Sequence, residues 1–188
     1  MCGISGIFSF DSSSVIEPEL LKSMNNVQAH RGPNDQGYHI NSGVGLGHRR
    51  LSVIDLAGGH QPIYNEDDSV VVVFNGEIFN HHQIAEELKS IGHRFKTQSD
   101  TETIVHAWEE WGVECVHHFR GMFAFILWDD NKKELFVARD RLGIKPLHYS
   151  LLSNGTVIFG SELKVLREHP LCSNNISPEA IEDYLTFG

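Results

Sequence analysis

The chain has few cysteines, a shortage of basic residues and no long apolar run, and each of these absences excludes a class of protein. Three cysteines in 188 residues are too few, and odd in number, for a disulfide framework. Fifteen basic against 25 acidic residues give a net charge of −10, which disfavours nucleic acid and anionic membranes as partners. No apolar run reaches membrane-spanning length, and no signal peptide is recognisable. We expect one cytoplasmic domain with neither nucleic-acid nor membrane partners.

The usual spacings of metal ligands are also absent. The chain contains twelve histidines, but no C-x-x-C or H-E-x-x-H pattern. The neighbouring pairs His81-His82 and His117-His118 would point about 100° apart on a helix. We therefore expect no metal site in this domain.

The hydrophobic pattern predicts more strands than helices. Strands are expected at 2–10, 44–56, 69–79 and 156–162, with a hairpin at 122–140, and helices at 16–27, 80–92, 99–112 and from 177 onward. Asn80 is the expected cap of the second helix, and Ser99 and Glu102 have capping-box spacing at the third. Hairpins without a regular strand–helix alternation indicate an α+β fold.

The chain opens with MCGISGIF, which places a cysteine directly after the initiator methionine. Removal of Met1 is favoured when the second residue is small, so the mature chain is expected to begin at Cys2. That residue would carry both a thiol and an α-amine, whose pKa of about 7.7–8.0 lets it accept a proton from a nucleophile. The alternative is a cysteine at a strand start with its methionine retained.

The segment FNGEIFN contains a candidate oxyanion hole. Asn75 offers a side-chain amide, and Gly76 offers a backbone N–H without a Cβ to block approach. The pair follows an apolar run, so we place it at the end of a strand. Asn-Gly is also a favoured two-residue hairpin turn, and this alternative stays open.

Charged residues near these segments suit an amino-acid substrate. Arg49 and Arg50 are adjacent in a predicted strand, so they face opposite sides and one of them can bind a carboxylate. Glu77 and Asp100 are candidates for binding an ammonium group. Asp100 also lies in a first helical turn, where an acid favours the helix dipole.

Taken together, these segments resemble the class II glutamine amidotransferase domain, an N-terminal-nucleophile hydrolase. The resemblance covers nearly the whole chain and is most like the amino-terminal half of glutamine-hydrolysing asparagine synthetases. It depends on MCGI, HRGP, GHRRLSVIDL, QPIYN, FNGEIFNH, SDTE, GMFAF and RDRLGIKPLHY, in that order. Asn34 and Phe79 depart from the usual Asp and Tyr of the family. The fold implied is a four-layer αββα sandwich with two largely antiparallel sheets.

The resemblance implies a role for each candidate residue. Cys2 would be the nucleophile with its own amine as base, and Asn75 and Gly76 the oxyanion hole. Substrate would be bound by Arg50, by backbone around Leu51 and Val53, and by Glu77 and Asp100. Arg49 would point away, and the loop His30–Pro33 would support the site without taking part in catalysis.

The resemblance also implies partners and a domain division. Residues 2–170 would hydrolyse L-glutamine, and 171–188 would begin a linker to a C-terminal synthetase domain of the same chain. No cofactor is expected here, whereas ATP and magnesium are expected in the synthetase domain, with aspartate or another acid as ammonia acceptor. A homodimer is a further expectation. An amidase with another substrate and a catalytically idle regulatory domain remain alternatives.

Overall fold

The computed structural model describes residues 1–51 and 59–187. Its strands in chain order are β1 (Gly3–Ser9), β2 (Asp35–Asn41), β3 (Val44–Arg50), β4 (Ile63–Tyr64), β5 (Val70–Ile78), β6 (Gly121–Asp129), β7 (Glu134–Arg139), β8 (His148–Leu151) and β9 (Thr156–Gly160). Its helices are α1 (Pro18–Asn26), α2 (His81–Ser90), α3 (Asp100–Trp111), α4 (Cys115–His118), α5 (Leu163–Arg167) and α6 (Pro178–Phe187), with short 3-10 helices at Ala29–Arg31 and Gly112–Glu114.

The strands of the described residues form two sheets. One has the order β2-β3-β1-β9-β8 and the other the order β4-β5-β6-β7. Every neighbouring pair is antiparallel. Strand β1 lies at the centre of the first sheet, paired with a strand on each side. Cys2 directly precedes this strand, so its backbone is attached to a rigid element.

The first five residues of strand β5, 70–74, are all apolar because this part of the strand is buried on both faces. Val71 and Val73 point into the core between the two sheets. Val70, Val72 and Phe74 point the other way, into a core shared with the helices. Successive side chains of a strand alternate between faces, so an unbroken run of apolar residues predicts such a doubly covered strand.

Helices cover the outer face of each sheet. On the first sheet, Leu21 and Met24 of α1 and Val165 of α5 share a core with the strands. On the second, Ile84 of α2 and Ile104 of α3 do the same. The layer order is therefore helix, sheet, sheet, helix, which confirms the predicted αββα sandwich. Every residue of α6 is exposed, and no helix within the described ranges is long and apolar enough to cross a membrane.

Two predicted helix caps differ from the structure. Asn80 precedes α2, but its side chain donates to His118 O (2.9 Å) and accepts from Arg120 N (2.9 Å) rather than capping the helix. At α3, Ser99 accepts from Thr101 N as predicted (3.2 Å). Glu102 does not complete the capping box.

The Glu102 carboxylate instead holds the segment that precedes α3. It accepts from the backbone N–H groups of Lys96 (2.6 Å) and Thr97 (2.7 Å). The Ser99 N–H, which a capping box would pair with Glu102, donates to Thr97 Oγ1 at 3.1 Å. In both cases a side chain at a cap position binds backbone groups outside the helix instead of its own helix end.

Candidate active site

The candidate residues meet at one end of the sandwich, around a cavity of about 260 Å³. They come from the start of β1, the end of β3, the second half of β5 and the first turn of α3. Lining residues named from the sequence are Cys2, Arg50, Leu51, Asn75, Gly76, Glu77 and Asp100. The volume lies just below the range of about 300–1,000 Å³ typical of small-molecule sites, so it suits a ligand of amino-acid size. Val53 lies outside the described residues.

Cys2 is held by contacts on both its side chain and its backbone. The Leu51 N–H points at Cys2 Sγ across 3.4 Å, and the Sγ lies 3.9 Å from Leu51 O. Arg31 Nε donates to the carbonyl oxygen of Cys2 at 3.0 Å. The thiol is half-buried, so it combines a fixed position with access from the cavity.

An ion pair with Glu162 fixes the position of the Arg31 side chain. Its carboxylate pairs with Arg31 Nη1 at 3.1 Å, with His30 at 2.9 Å and with Lys164 at 3.0 Å. Partial burial raises the pKa of Glu162, but Lys164, Arg31 and His30 outweigh it and lower the pKa to about 2. The HRGP loop thus fixes Cys2 through an ion pair.

Asn75 carries a buried polar group without a partner. Its side chain is 1% exposed, and among the described residues its Nδ2 has no hydrogen-bond acceptor. Such an unpaired buried donor costs about 1–3 kcal/mol. Because Asn75 also lines the cavity, a ligand with a hydrogen-bond acceptor could pair with this amide and remove that cost.

Gly76 lies where no side chain fits. A Cβ there would lie 2.4 Å from Met122 O and 2.7 Å from Phe123 Cα, both backbone atoms of the adjacent strand. Asn75 and Gly76 pair with Ala124 and Phe123 in the β5–β6 ladder. The hairpin-turn alternative is therefore wrong, and so is the placement of the pair at the strand's end, because β5 continues to Ile78.

The two arginines of β3 face opposite ways. Arg50 is 7% exposed and lines the cavity. Arg49 turns to α1, where Nε donates to Asn25 O (3.2 Å) and Nη2 donates to Asn26 Oδ1. Of the two, Arg50 is the one that lines the cavity.

The acidic residues lie together on the cavity wall. Asp100 Oδ2 accepts from Ile78 N at 3.0 Å, which ties the start of α3 to the end of β5. Burial raises the pKa of Asp100, the Ile78 N–H opposes the rise, and the charge of Glu77 adds to it. Arg50 and the two neighbouring acids on the same cavity suit a zwitterionic ligand.

The structure adds lining residues to which sequence reasoning assigned no role. Gln61 accepts from Phe74 N (2.7 Å) and donates to Thr101 Oγ1 (3.3 Å), which joins β5 to α3 beside the cavity. Met122 and Lys145 line another part of the wall. Gln61 lies in the QPIYN segment and Lys145 in the RDRLGIKPLHY segment. Both segments indicated the family, but the sequence did not show that they reach the cavity.

Comparisons with known proteins identify the family of the chain. Residues 1–188 match the family described as the glutamine amidotransferase domain. The chain belongs to that family. It is 45% identical over 191 residues to an asparagine synthetase [glutamine-hydrolyzing] of Bacillus subtilis, covering 100% of this chain and 25% of the relative. A rice asparagine synthetase [glutamine-hydrolyzing] is 42% identical over 168 residues, covering 89% of this chain and 28% of the relative. The chain thus spans about a quarter of the length of these relatives.

A solved structure supports the fold of this amidotransferase domain. Glutamine phosphoribosylpyrophosphate amidotransferase from Bacillus subtilis superposes with a TM-score of 0.74 at 20% sequence identity, over 88% of this chain and 43% of that chain. At this identity the likeness concerns the fold alone. It agrees with the two antiparallel sheets between helical layers.

Proposed function

We propose that this amidotransferase domain hydrolyses L-glutamine to glutamate and ammonia through a thioester on Cys2. The observation that carries the proposal is the unpaired amide of Asn75 in the same cavity as the Cys2 thiol. A nucleophile beside an unused hydrogen-bond donor is the arrangement that acyl transfer requires.

The first half-reaction forms the thioester. After removal of Met1, the α-amine of Cys2 takes the thiol proton, and the sulfur attacks the side-chain carbonyl carbon of glutamine. The oxygen becomes an anion that accepts hydrogen bonds from Asn75 Nδ2 and the Gly76 N–H. The C–N bond then breaks, the amine returns its proton to the departing nitrogen, and ammonia leaves.

The second half-reaction releases glutamate. The same amine takes a proton from water, whose oxygen attacks the thioester carbonyl while the oxyanion donors act again. The C–S bond breaks, and the sulfur leaves as a thiolate that regains its proton. One glutamine and one water thus give one glutamate and one ammonia.

Arg50, Glu77 and Asp100 orient the substrate in this proposal. The Arg50 guanidinium binds the α-carboxylate, for which a planar, always charged group is suited. Glu77 and Asp100 bind the α-ammonium, with backbone around Leu51 and Val53 as further contacts. The ammonium also compensates the two neighbouring carboxylates; in the free site burial raises the pKa of Asp100, and the charge of Glu77 adds to the rise.

The names of the relatives support the proposal that the released ammonia is passed to a synthetase reaction. They are glutamine-hydrolysing asparagine synthetases about four times as long as the matched region. The proposal therefore includes transfer of ammonia to a synthetase domain of the same chain, beginning after residues 171–188, with ATP and magnesium bound there and aspartate as the default acceptor. A homodimer and a cytoplasmic location stay predictions.

Replacing the oxyanion donor tests the proposal. In the purified protein, Asn75→Ala is expected to lower kcat for glutamate release about 10²–10³-fold, because one donor is lost. Asn131→Ala, in the exposed turn between β6 and β7, is the matched control and should retain full activity. Near-normal turnover by a folded Asn75→Ala protein would exclude Asn75 from the mechanism.

The nucleophile has its own control pair. Cys2→Ala is expected to abolish glutamate release with the melting temperature preserved, whereas Cys172→Ala, at a second half-buried thiol, should remain active. Intact-mass measurement checks that the active protein begins at Cys2. A wild-type protein that is processed and folded yet releases no glutamate would support the idle regulatory alternative instead.

A further inference from the structure

A second cluster of chemically active side chains lies away from the catalytic cavity, beside α3. It combines two imidazoles and two carboxylates, contributed by Glu66, His93, His106 and Glu109. None of the four lines the cavity that contains Cys2. Glu66 follows β4, His93 lies in the connection after α2, and the other two lie one turn apart on α3.

The ligand atoms of this cluster converge on one point. His106 Nδ1 is 3.0 Å from Glu109 Oε2 and 3.5 Å from Glu66 Oε2. His93 Nδ1 is 3.7 Å from the same Glu109 oxygen. All four atoms lie within 4.8 Å of one another. A tetrahedral zinc site with bonds of about 2.0–2.2 Å has ligand-to-ligand distances of roughly 3.4 Å, so several of the distances already match.

The opposite atom of each carboxylate is held by a hydrogen bond from the protein. Glu109 Oε1 accepts from Asn65 Nδ2 at 2.7 Å. Glu66 Oε1 accepts from Arg94 N at 3.0 Å. These contacts leave the second oxygen of each group directed at the common point. Supporting hydrogen bonds of this kind orient the ligands of protein metal sites.

Each imidazole likewise turns its other nitrogen toward a carboxylate. His106 Nε2 lies 3.7 Å from Glu102 Oε1, and His93 Nε2 lies 3.7 Å from Glu110 Oε2. His106 is fully buried, and its Nε2 has no hydrogen-bond partner among the described residues. A metal bound at Nδ1 would place the proton on Nε2 and direct it at Glu102, completing a carboxylate–histidine–metal arrangement.

The surplus of carboxylates in the cluster favours a bound cation. Four carboxylates, those of Glu66, Glu102, Glu109 and Glu110, surround the two imidazoles. The buried imidazole of His106 lies 3.0 Å from Glu109, 3.5 Å from Glu66 and 3.7 Å from Glu102. A divalent ion would place two positive charges among these carboxylates.

We propose that this cluster, composed of Glu66, His93, His106 and Glu109, binds a divalent transition-metal ion of the zinc type. Mixed imidazole and carboxylate ligands suit such ions, whereas magnesium and calcium prefer oxygen alone. The ion fastens α3 to the segments around residues 66 and 93. Since α3 begins at Asp100 on the wall of the catalytic cavity, the ion stabilises the element that presents this carboxylate.

Zinc binding by the purified protein tests the site without reference to glutaminase activity. After treatment with a chelator and its removal, the wild-type protein is expected to bind one Zn²⁺ per chain in competition with a chromophoric chelator, and to melt at a higher temperature with the metal. Replacement by Co²⁺ should give the intense visible absorption of a tetrahedral site.

Two ligand variants and one control make the test specific. Neither His93 nor Glu66 is fully buried, so the His93→Gln and Glu66→Gln proteins should both fold, and each should bind Zn²⁺ at least tenfold more weakly. His117→Gln removes an exposed histidine outside the cluster and should bind as the wild type does. A folded wild-type protein with no stoichiometric zinc binding would overturn the proposal. Equal affinity in all three variants would overturn it as well.

Discussion

The buried histidine of β3 should make the stability of the domain depend on pH in a defined direction. His48 is 1% exposed, and its Nε2 lies 3.1 Å from the carbonyl oxygen of Phe74. A carbonyl oxygen can only accept a hydrogen bond, so in the neutral imidazole Nε2 carries the proton and Nδ1 carries none. Burial lowers the pKa of His48 to about 3; the Phe74 carbonyl opposes this shift and the charge of Arg50 adds to it.

The size of the effect follows from the two pKa values. In the unfolded chain His48 has its ordinary pKa of 6.5, so between pH 6.5 and about 3 the unfolded state binds a proton that the folded state excludes. The contribution to stability is therefore intact above pH 6.5 and is lost as the pH falls, by up to about 1.4 kcal/mol per pH unit. At pH 5 the loss amounts to about 2 kcal/mol.

Urea unfolding at pH 7 and pH 5, with a chelator present, measures this contribution. His48→Gln keeps an N–H donor near the Phe74 carbonyl and removes the titration. The wild-type protein should lose about 2 kcal/mol more than the variant between the two pH values, whatever the variant's stability at pH 7. His117→Gln, an exposed histidine, should behave as the wild type does. Equal losses in the wild type and His48→Gln would refute the assignment of a neutral, buried His48.

Three further substitutions have defined outcomes. Gly76→Ala would bring a Cβ to 2.4 Å from Met122 O; urea unfolding should show a loss of about 1–3 kcal/mol, and a fully stable variant would contradict this packing. Asp140→Ala removes a carboxylate that accepts four backbone N–H groups; the melting temperature should fall, and an unchanged value would show these bonds to be dispensable. Arg50→Ala should raise KM for glutamine far more than Arg49→Ala, and steady-state kinetics giving the reverse order would assign substrate to the other strand face.

Much of the fold could be predicted because its signals are local. The valines of β5 and the apolar faces of α2 and α3 each predict their own element from a short stretch of sequence. The hairpin of β6 and β7 is recognisable as two apolar runs joined by a polar turn. The order of motifs from Cys2 to Lys145 identified the family. These patterns depend on spacing along the chain, which the sequence contains in full.

The catalytic cavity was only partly predictable. Sequence reasoning selected Asn75 and Gly76 but left strand and turn as alternatives, because Asn-Gly suits both. The partner strand decided between them: the backbone at Met122 and Phe123 runs so close to Gly76 that only a glycine fits. The unpaired amide of Asn75 is likewise a property of its surroundings and not of its residue type.

By itself, the sequence determined the α+β class, the family and the residues available for chemistry, since hydrophobic period and motif order are properties of the chain. The tertiary structure decided which polar groups find partners. Glu102 was assigned to a local cap and binds the preceding segment instead, and Glu66, His93 and His106 converge although no ligand spacing joins them. The physical reason is that a buried polar group binds whichever partner the packed elements bring within about 3 Å, and distance along the chain does not determine that partner.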